Sequence, residues 1–274
     1  MKKLLFLAAL CGALLACSSK DEPEQTEKVT FTISNFDPTQ HPLSAPKKAP
    51  AALYDGDDVL TDLYLFDGAT QLVHQSSTQE DFGTITVMLT TGEHQLHFVA
   101  TRSSELSVSN GVLACTSLRN TFGKTLNFTV NGSSEEQLVL DRLSGKLLIT
   151  INDAIPAGAS NLRIQLGQRY TSLNVQTLYG VNPAAAEFNL NISDKIGNTG
   201  YNINLWMLSP AADGYETSFS LTATNASSTI IGQAQGTLTI KPNTKTFLSG
   251  NLFAGTKSFI SLNTSWDAEI NESF

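Results

Sequence analysis

The sequence predicts an all-β protein, and three features lead to that prediction. Threonine fills 30 and glycine 19 of the 274 positions, and these residues fit pleated strands and turns. Charged residues supply only 15% of the chain, below the usual share of about a quarter. Short segments that alternate apolar and polar residues recur along the chain, which is the period of a half-buried strand. More than a dozen such segments favour β-sandwich architecture, and they are too many for one sandwich.

The first sixteen residues predict a signal peptide and no part of the fold. Lys2 and Lys3 precede an apolar run over 4–15, which is too short to span a bilayer but typical of a secretory signal. The run ends in Ala16 and Cys17, and with Leu14 these residues resemble the lipobox of bacterial lipoproteins. That resemblance implies a lipid on the Cys17 thiol and cleavage by signal peptidase II between Ala16 and Cys17. An ordinary secretory signal that contains a cysteine is the alternative.

The polar segment 17–28 is expected to be a lipidated tether. Its residues Lys20, Asp21 and Glu22 are similar to a surface-export signal of lipoproteins from one group of Gram-negative anaerobes, which implies a surface-exposed protein of the outer membrane. A solvated spacer is the alternative for this charged run. The net charge of -8 and the pI near 5.0 argue against a nucleic-acid partner.

The remaining chain is expected to form two β-sandwich domains, an N-terminal one over 29–141 and a C-terminal one over 142–274. Period-two alternation begins at 29–33, and a proline-dense loop follows over 37–50. Segments 84–90 and 94–100 predict a β-hairpin, and 104–106 and 118–121 predict short helical turns. Further strands are expected at 59–66, 72–75, 126–130, 137–140, 146–151, 162–166, 170–178, 188–192, 201–208, 217–224, 230–240, 246–253 and 259–266.

Three of these segments have a recognisable pattern. One strand ends in the pair Phe66 and Asp67, a later strand runs from Gly92 to Ala100, and Leu140, Asp141 and Arg142 lead into the second domain. These segments resemble the fimbrillin-like proteins, the fimbrial subunits and anchor proteins of type V pili. The resemblance implies two tandem transthyretin-like β-sandwiches with Greek-key connections. It also implies assembly by β-strand addition, and neither an enzyme activity nor a cofactor.

The resemblance also bears on which strands take part in assembly. In type V pili a subunit is proposed to lose its first strand after a basic residue and to accept a neighbour's C-terminal strand. In this chain no arginine precedes Arg102, and such a cut would also remove Cys17. We therefore expect an anchor subunit that keeps its first strand and offers Phe259, Ile260, Leu262 and Trp266 to a stalk subunit. The alternative is that this segment is only the last strand of its own domain.

Candidate metal and sugar sites give weaker predictions. His94 and His97 are three residues apart on a predicted strand, so they should lie on opposite faces and should not share a metal ion. The main alternative function is a surface glycan-binding β-sandwich lipoprotein, in which Trp206 would point outward and stack on a sugar. The other interpretation places Trp206 in an interface. Cys115 is expected to be buried.

Overall fold

The computed structural model describes residues 24–36, 54–55, 58–102, 104–254 and 259–265. These residues form twenty-one β-strands and one 3-10 turn, so the all-β prediction is confirmed. The helical turn predicted at 104–106 is wrong. This segment begins a strand, because Leu106 and Val108 pair with Cys115 and Leu113 in a hairpin. Within the described ranges, no helix is long and apolar enough to cross a membrane.

The N-terminal half contains the first eleven strands. They are β1 (Thr26–Phe36), β2 (Tyr54–Asp55), β3 (Asp58–Val59), β4 (Asp62–Asp67), β5 (Thr70–Ser76), β6 (Thr84–Thr90), β7 (Gly92–Thr101), β8 (Ser104–Ser109), β9 (Val112–Ser117), β10 (Thr121–Val130) and β11 (Ser134–Arg142). Seven of them form one sheet in the order β5-β4-β7-β10-β11-β1-β6. Its concave face encloses a core that includes Phe31, Leu63, Phe98 and Leu140.

This large sheet curls until its two edge strands approach each other, and the Gln75 side chain spans the remaining gap. Gln75 lies on β5 and is buried. Its Nε2 donates to the carbonyl of Thr84 at 2.8 Å, and its Oε1 accepts from the Gly83 N–H at 3.2 Å. A side-chain amide carries the same donor and acceptor as a peptide group. Gln75 therefore satisfies edge groups that no strand pairs with here.

The C-terminal half contains ten more strands. They are β12 (Ser144–Ile151), β13 (Ala159–Arg169), β14 (Ser172–Asn174), β15 (Tyr179–Val181), β16 (Ala184–Asn191), β17 (Tyr201–Leu208), β18 (Tyr215–Asn225), β19 (Ile230–Ile240), β20 (Thr244–Gly250) and β21 (Phe259–Ser265). Two four-stranded sheets, β17-β12-β20-β21 and β16-β13-β18-β19, contribute to one core, which includes Leu147, Ile164, Leu221 and Leu248. The boundary predicted at residue 141 falls between the two cores described so far, and it stays a prediction.

A further four-stranded sheet, in the order β15-β14-β9-β8, joins the two halves. Strand β14 leaves the C-terminal half and pairs with β9, with Leu173 opposite Leu113. Beneath this sheet lies a third core that includes Tyr64, Phe66, Leu113, Leu173 and Trp206. The Trp206 side chain is buried there, so the interface interpretation is correct and the outward one is wrong. Cys115 is buried in the same cluster, as expected.

Candidate functional site

The first strand is an interior strand of the large sheet. β1 pairs antiparallel with β6 on one side and parallel with β11 on the other. Its side chains Val29 and Phe31 are fully buried, and the Phe31 ring makes edge contacts with Phe98 at 5.1 Å and with Phe128 at 5.5 Å. Loss of β1 would unpair two neighbouring strands and open the core of the N-terminal half.

The last described strand lies at the margin of a sheet. β21 pairs with β20 over seven residue pairs, from Thr244 opposite Ser265 to Gly250 opposite Phe259. Within the described residues its other side pairs with no strand. Such an edge presents unpaired N–H and C=O groups to another chain. Of the four predicted donor residues, Phe259 packs partly against the C-terminal core, Ile260 and Leu262 lie on β21, and Trp266 is outside the described residues.

A carboxylate fixes the chain just before the approach to β21. The Asp153 side chain accepts three backbone N–H bonds, from Leu252 at 3.0 Å and from Phe253 and Ala254 at 2.7 Å. Leu252 is fully buried in the C-terminal core. The end of the β20 segment is therefore held by both packing and charge-assisted hydrogen bonds, which are among the stronger kind.

Arg142, the last residue of β11, occupies a buried junction between the two halves. Its guanidinium donates to the Asn120 side chain and lies over the Phe122 ring, 4.6 Å from the centroid. The Ser144 hydroxyl also contacts Asn120, at 3.2 Å, and accepts from the Thr121 N–H at 3.1 Å. The Leu140 to Arg142 segment singled out in the sequence therefore has a structural role, since it ties the end of β11 to the start of β12.

The two histidines have different environments. The Nδ1 atom of the buried His97 lies 2.9 Å from the Thr125 hydroxyl, and its Nε2 has no hydrogen-bond partner. Burial lowers the pKa of His97, and the charge of Asp67 only partly opposes this. His94 contacts Asp67 and the Thr90 carbonyl instead. Among the described residues, no three His, Cys, Asp or Glu side chains are placed to hold a metal ion.

A shallow depression of about 630 Å³ crosses the outer face of the β16-β13-β18-β19 sheet. Both polar and apolar residues line it, among them Gly167, Glu187, Ser218 and Gln235 and the apolar Leu166 and Phe219. A side chain at Gly167 would collide with the Ser218 hydroxyl, which would lie 2.4 Å from the added Cβ. Gln165 and Asn189 donate to the Glu187 carboxylate at 2.9 and 3.0 Å, and these bonds lower its pKa. The depression offers hydrogen bonds.

Several predicted site residues lie outside the described ranges. These are the lipid-attachment residue, its cleavage partner and the export signal, namely Cys17, Ala16, Lys20, Asp21 and Glu22. Their assignments stay predictions from the sequence. The sequence interpretation missed the roles of Gln75 and Asp153, because their hydrogen-bond partners are not adjacent in sequence. It considered His94 only as a metal ligand, because the contact of His94 with Asp67 cannot be read from the local sequence.

Together these features define an all-β protein with two sandwich-like cores, a sheet shared between its halves, an internal first strand and a last described strand at a sheet margin. The fold recurs in a candidate polysaccharide-binding protein from Bacteroides thetaiotaomicron VPI-5482, which is 10% identical with a TM-score of 0.50, the match covering 88% of this chain and 96% of that chain. A candidate adhesin from Bacteroides ovatus ATCC 8483 is 8% identical with a TM-score of 0.50, and the match covers 83% of this chain and 88% of that chain. The fimbrial anchor protein Mfa2 from Porphyromonas gingivalis is 9% identical with a TM-score of 0.47, and the match covers 88% of this chain and 98% of that chain. No known family and no curated protein matches the sequence.

Proposed function

We propose that this chain is a lipid-anchored fimbrial subunit of the cell surface, held in the outer membrane through Cys17 and joined to a stalk subunit by strand addition. The observation that carries the proposal is the contrast between its terminal strands. β1 is interior and packed, whereas β21 lies at the edge of its sheet among the residues that the structure describes. A chain that keeps its first strand and offers its last one can donate but not accept, as an anchor requires.

Three further lines support this role. The lipobox supplies an anchor, since more than one acyl chain gives stable membrane attachment. The fimbrillin-like segments lie on β4, β7 and β11 of the N-terminal half, and the last of them leads into the C-terminal half. A candidate adhesin has the same fold. The role is one of assembly and adhesion at the cell surface, and no catalytic step belongs to it.

Donation requires β21 to leave β20, and this step gives a direct test. Cysteines placed at the paired positions Ser249 and Ile260 would lock the strand in place when oxidised, because opposed positions of an antiparallel pair are close enough for a disulfide. We expect the oxidised Ser249→Cys/Ile260→Cys protein to lose pilus attachment and the reduced protein to regain it. The matched control is Asn161→Cys/Asn191→Cys, an exposed pair between β13 and β16.

If the oxidised Ser249→Cys/Ile260→Cys protein still attaches the pilus fully, donation by β21 is refuted. Deletion of 256–274 should also abolish attachment, and unchanged attachment and pilus length would contradict the proposal. The anchor is tested separately by replacing Cys17 with alanine. This variant should lose incorporation of a labelled fatty acid and should leave the membrane fraction, and retention of the label would refute the lipid site.

Glycan binding is a second candidate function, and the depression on the outer sheet is the observation in its favour. Its hydroxyl and amide groups can bond to sugar hydroxyls. The described residues show no group of exposed aromatic side chains on which a sugar could stack. Titration with cello-, xylo-, laminari- and chitohexaose, followed by NMR, tests it. Binding should be weakened by Gln235→Ala in the depression and not by Gln233→Ala on the same strand, and an absence of shifts would reject it.

A further inference from the structure

His94 lies at one end of the N-terminal half, near the start of β7, and only 9% of its side chain is exposed. Its Nδ1 is 2.6 Å from a carboxylate oxygen of Asp67, and its Nε2 is 2.8 Å from the backbone carbonyl oxygen of Thr90. Both partners are acceptors that carry no proton to give. A neutral imidazole has a single N–H, whereas the imidazolium has two. Only the protonated ring donates to both partners.

A hydroxyl group and two carboxylates act on the ring. The Thr90 hydroxyl is 3.4 Å from Nε2, so the carbonyl of the same residue is the closer partner. Phe128 stands opposite His94 on β10 and carries no charge. The charged groups that act on the ring are the carboxylates of Asp67 and Glu93. Burial lowers the pKa of His94, but its hydrogen bonds and these two negative charges outweigh burial and raise the pKa above its ordinary value.

The two partners of His94 belong to different turns. Asp67 ends β4 at the turn into β5, and Thr90 ends β6 just before the turn into β7. The second turn also holds the beginning of the first strand. Thr90 is paired with Thr26, and the Thr91 N–H donates to the Gln25 carbonyl at 2.8 Å. The His94 ring therefore connects the β4 to β5 turn with the place where β1 enters the sheet.

We propose that protonated His94 is a pH-sensitive latch that holds the entry of the first strand in the sheet. When the ring loses its proton, Nδ1–H keeps its bond to Asp67, and the Nε2 lone pair then faces the lone pairs of the Thr90 carbonyl. Two acceptors in contact repel, so the 90–92 turn separates from the ring and loosens its hold on residues 24–28. The latch is stable below the ordinary histidine pKa and opens as the pH rises through the raised value. It depends neither on a lipid at Cys17 nor on donation by β21.

Hydrogen exchange of the purified chain at pH 5.5 and pH 8.5, corrected for the intrinsic rate, tests the latch. We expect protection of residues 26–30 to fall about ten-fold at the higher pH, the scale of one charge-assisted hydrogen bond. His94→Gln stays neutral and should show the lower protection at both pH values. The control is His74→Gln, which removes another histidine bonded to an aspartate, Asp62, on a different hairpin. It should keep the pH dependence.

Two results would overturn the latch. One is equal protection of residues 26–30 at both pH values in the unaltered chain, and the other is a fall of the same size in His94→Gln. An NMR titration of the ring protons decides the matter if His94→Gln does not fold. The titration uses the unaltered chain, and a His94 pKa at or below 6.5 would contradict the proposal.

Discussion

Replacing Asp153 with alanine should destabilise the C-terminal half and loosen the approach to β21. The Asp153 carboxylate holds the N–H groups of Leu252, Phe253 and Ala254 at 3.0, 2.7 and 2.7 Å. A hydrogen bond to a charged group contributes about 1.5 to 3 kcal/mol. Ala254 is exposed, so water can replace that bond, and two bonds remain to be lost. The expected decrease in the free energy of unfolding is about 3 to 6 kcal/mol.

Urea and thermal unfolding measure this decrease, which corresponds to about 6 to 24 °C in Tm for a protein of this size. Asp153→Asn keeps one acceptor oxygen and should lose about half as much. Asp213→Ala, at an exposed aspartate, is the control and should be neutral within about 0.5 kcal/mol. The reasoning is refuted if Asp153→Ala unfolds like Asp213→Ala, or if hydrogen exchange at 252–254 is unchanged.

Gln75→Ala should lower the free energy of unfolding by about 1 to 3 kcal/mol, because it leaves the buried Gly83 N–H without its partner. The control is Gln71→Ala, at an exposed position on the same strand. An equal loss of stability in the two variants would contradict the prediction. Gly145→Ala should cost about 1 to 3 kcal/mol, since the new Cβ would lie 2.4 Å from the Lys241 carbonyl oxygen, whereas Gly132→Ala meets nothing within 4 Å and should be silent in the same urea titration. Burial lowers the pKa of His97 in the folded chain. As the pH falls, the unfolded chain therefore binds a proton at His97 at a higher pH than the folded chain does. His97 should thus lower the free energy of unfolding as the pH falls below about 6.5. His97→Leu should reduce that acid sensitivity in unfolding measured from pH 7 to pH 5, and parallel pH profiles of the two proteins would contradict the assignment.

Local alternation predicted the strands of this protein well because each strand carries its own period. The segment predicted at 84–90 coincides with β6, and the one predicted at 94–100 lies inside β7. The segment 170–178 was expected to be one strand, and this is wrong. Strand β14 ends at Asn174, whose side chain accepts the N–H groups of Gln176 and Thr177 and forms a turn. Asparagine favours such turns, so this error had a visible signal.

The pairing of the strands could not be predicted in the same way. The parallel pairing of β1 with β11 and the insertion of β14 beside β9 join segments far apart in the chain, and no local pattern encodes the partner. In the candidate site, too, only the features that a local sequence motif encodes could be predicted. Cys17 is predicted by a short contiguous motif, whereas the marginal position of β21 follows from the sheet order. One of the two acceptors that contact the His94 ring is Asp67, which is 27 residues away in the sequence.

The shared β15-β14-β9-β8 sheet has a consequence for how the chain folds as it is made. Tyr64, Phe66 and Leu113 belong to the N-terminal half, yet Leu173, Trp206 and Leu208 from the other half complete their cluster. A nascent chain that has released only its first 142 residues therefore presents an apolar surface that nothing yet covers. Contacts of such long sequence separation form slowly and leave intermediates prone to aggregation. We expect the N-terminal half to need protection during synthesis until the hairpin of β14 and β15 has been made.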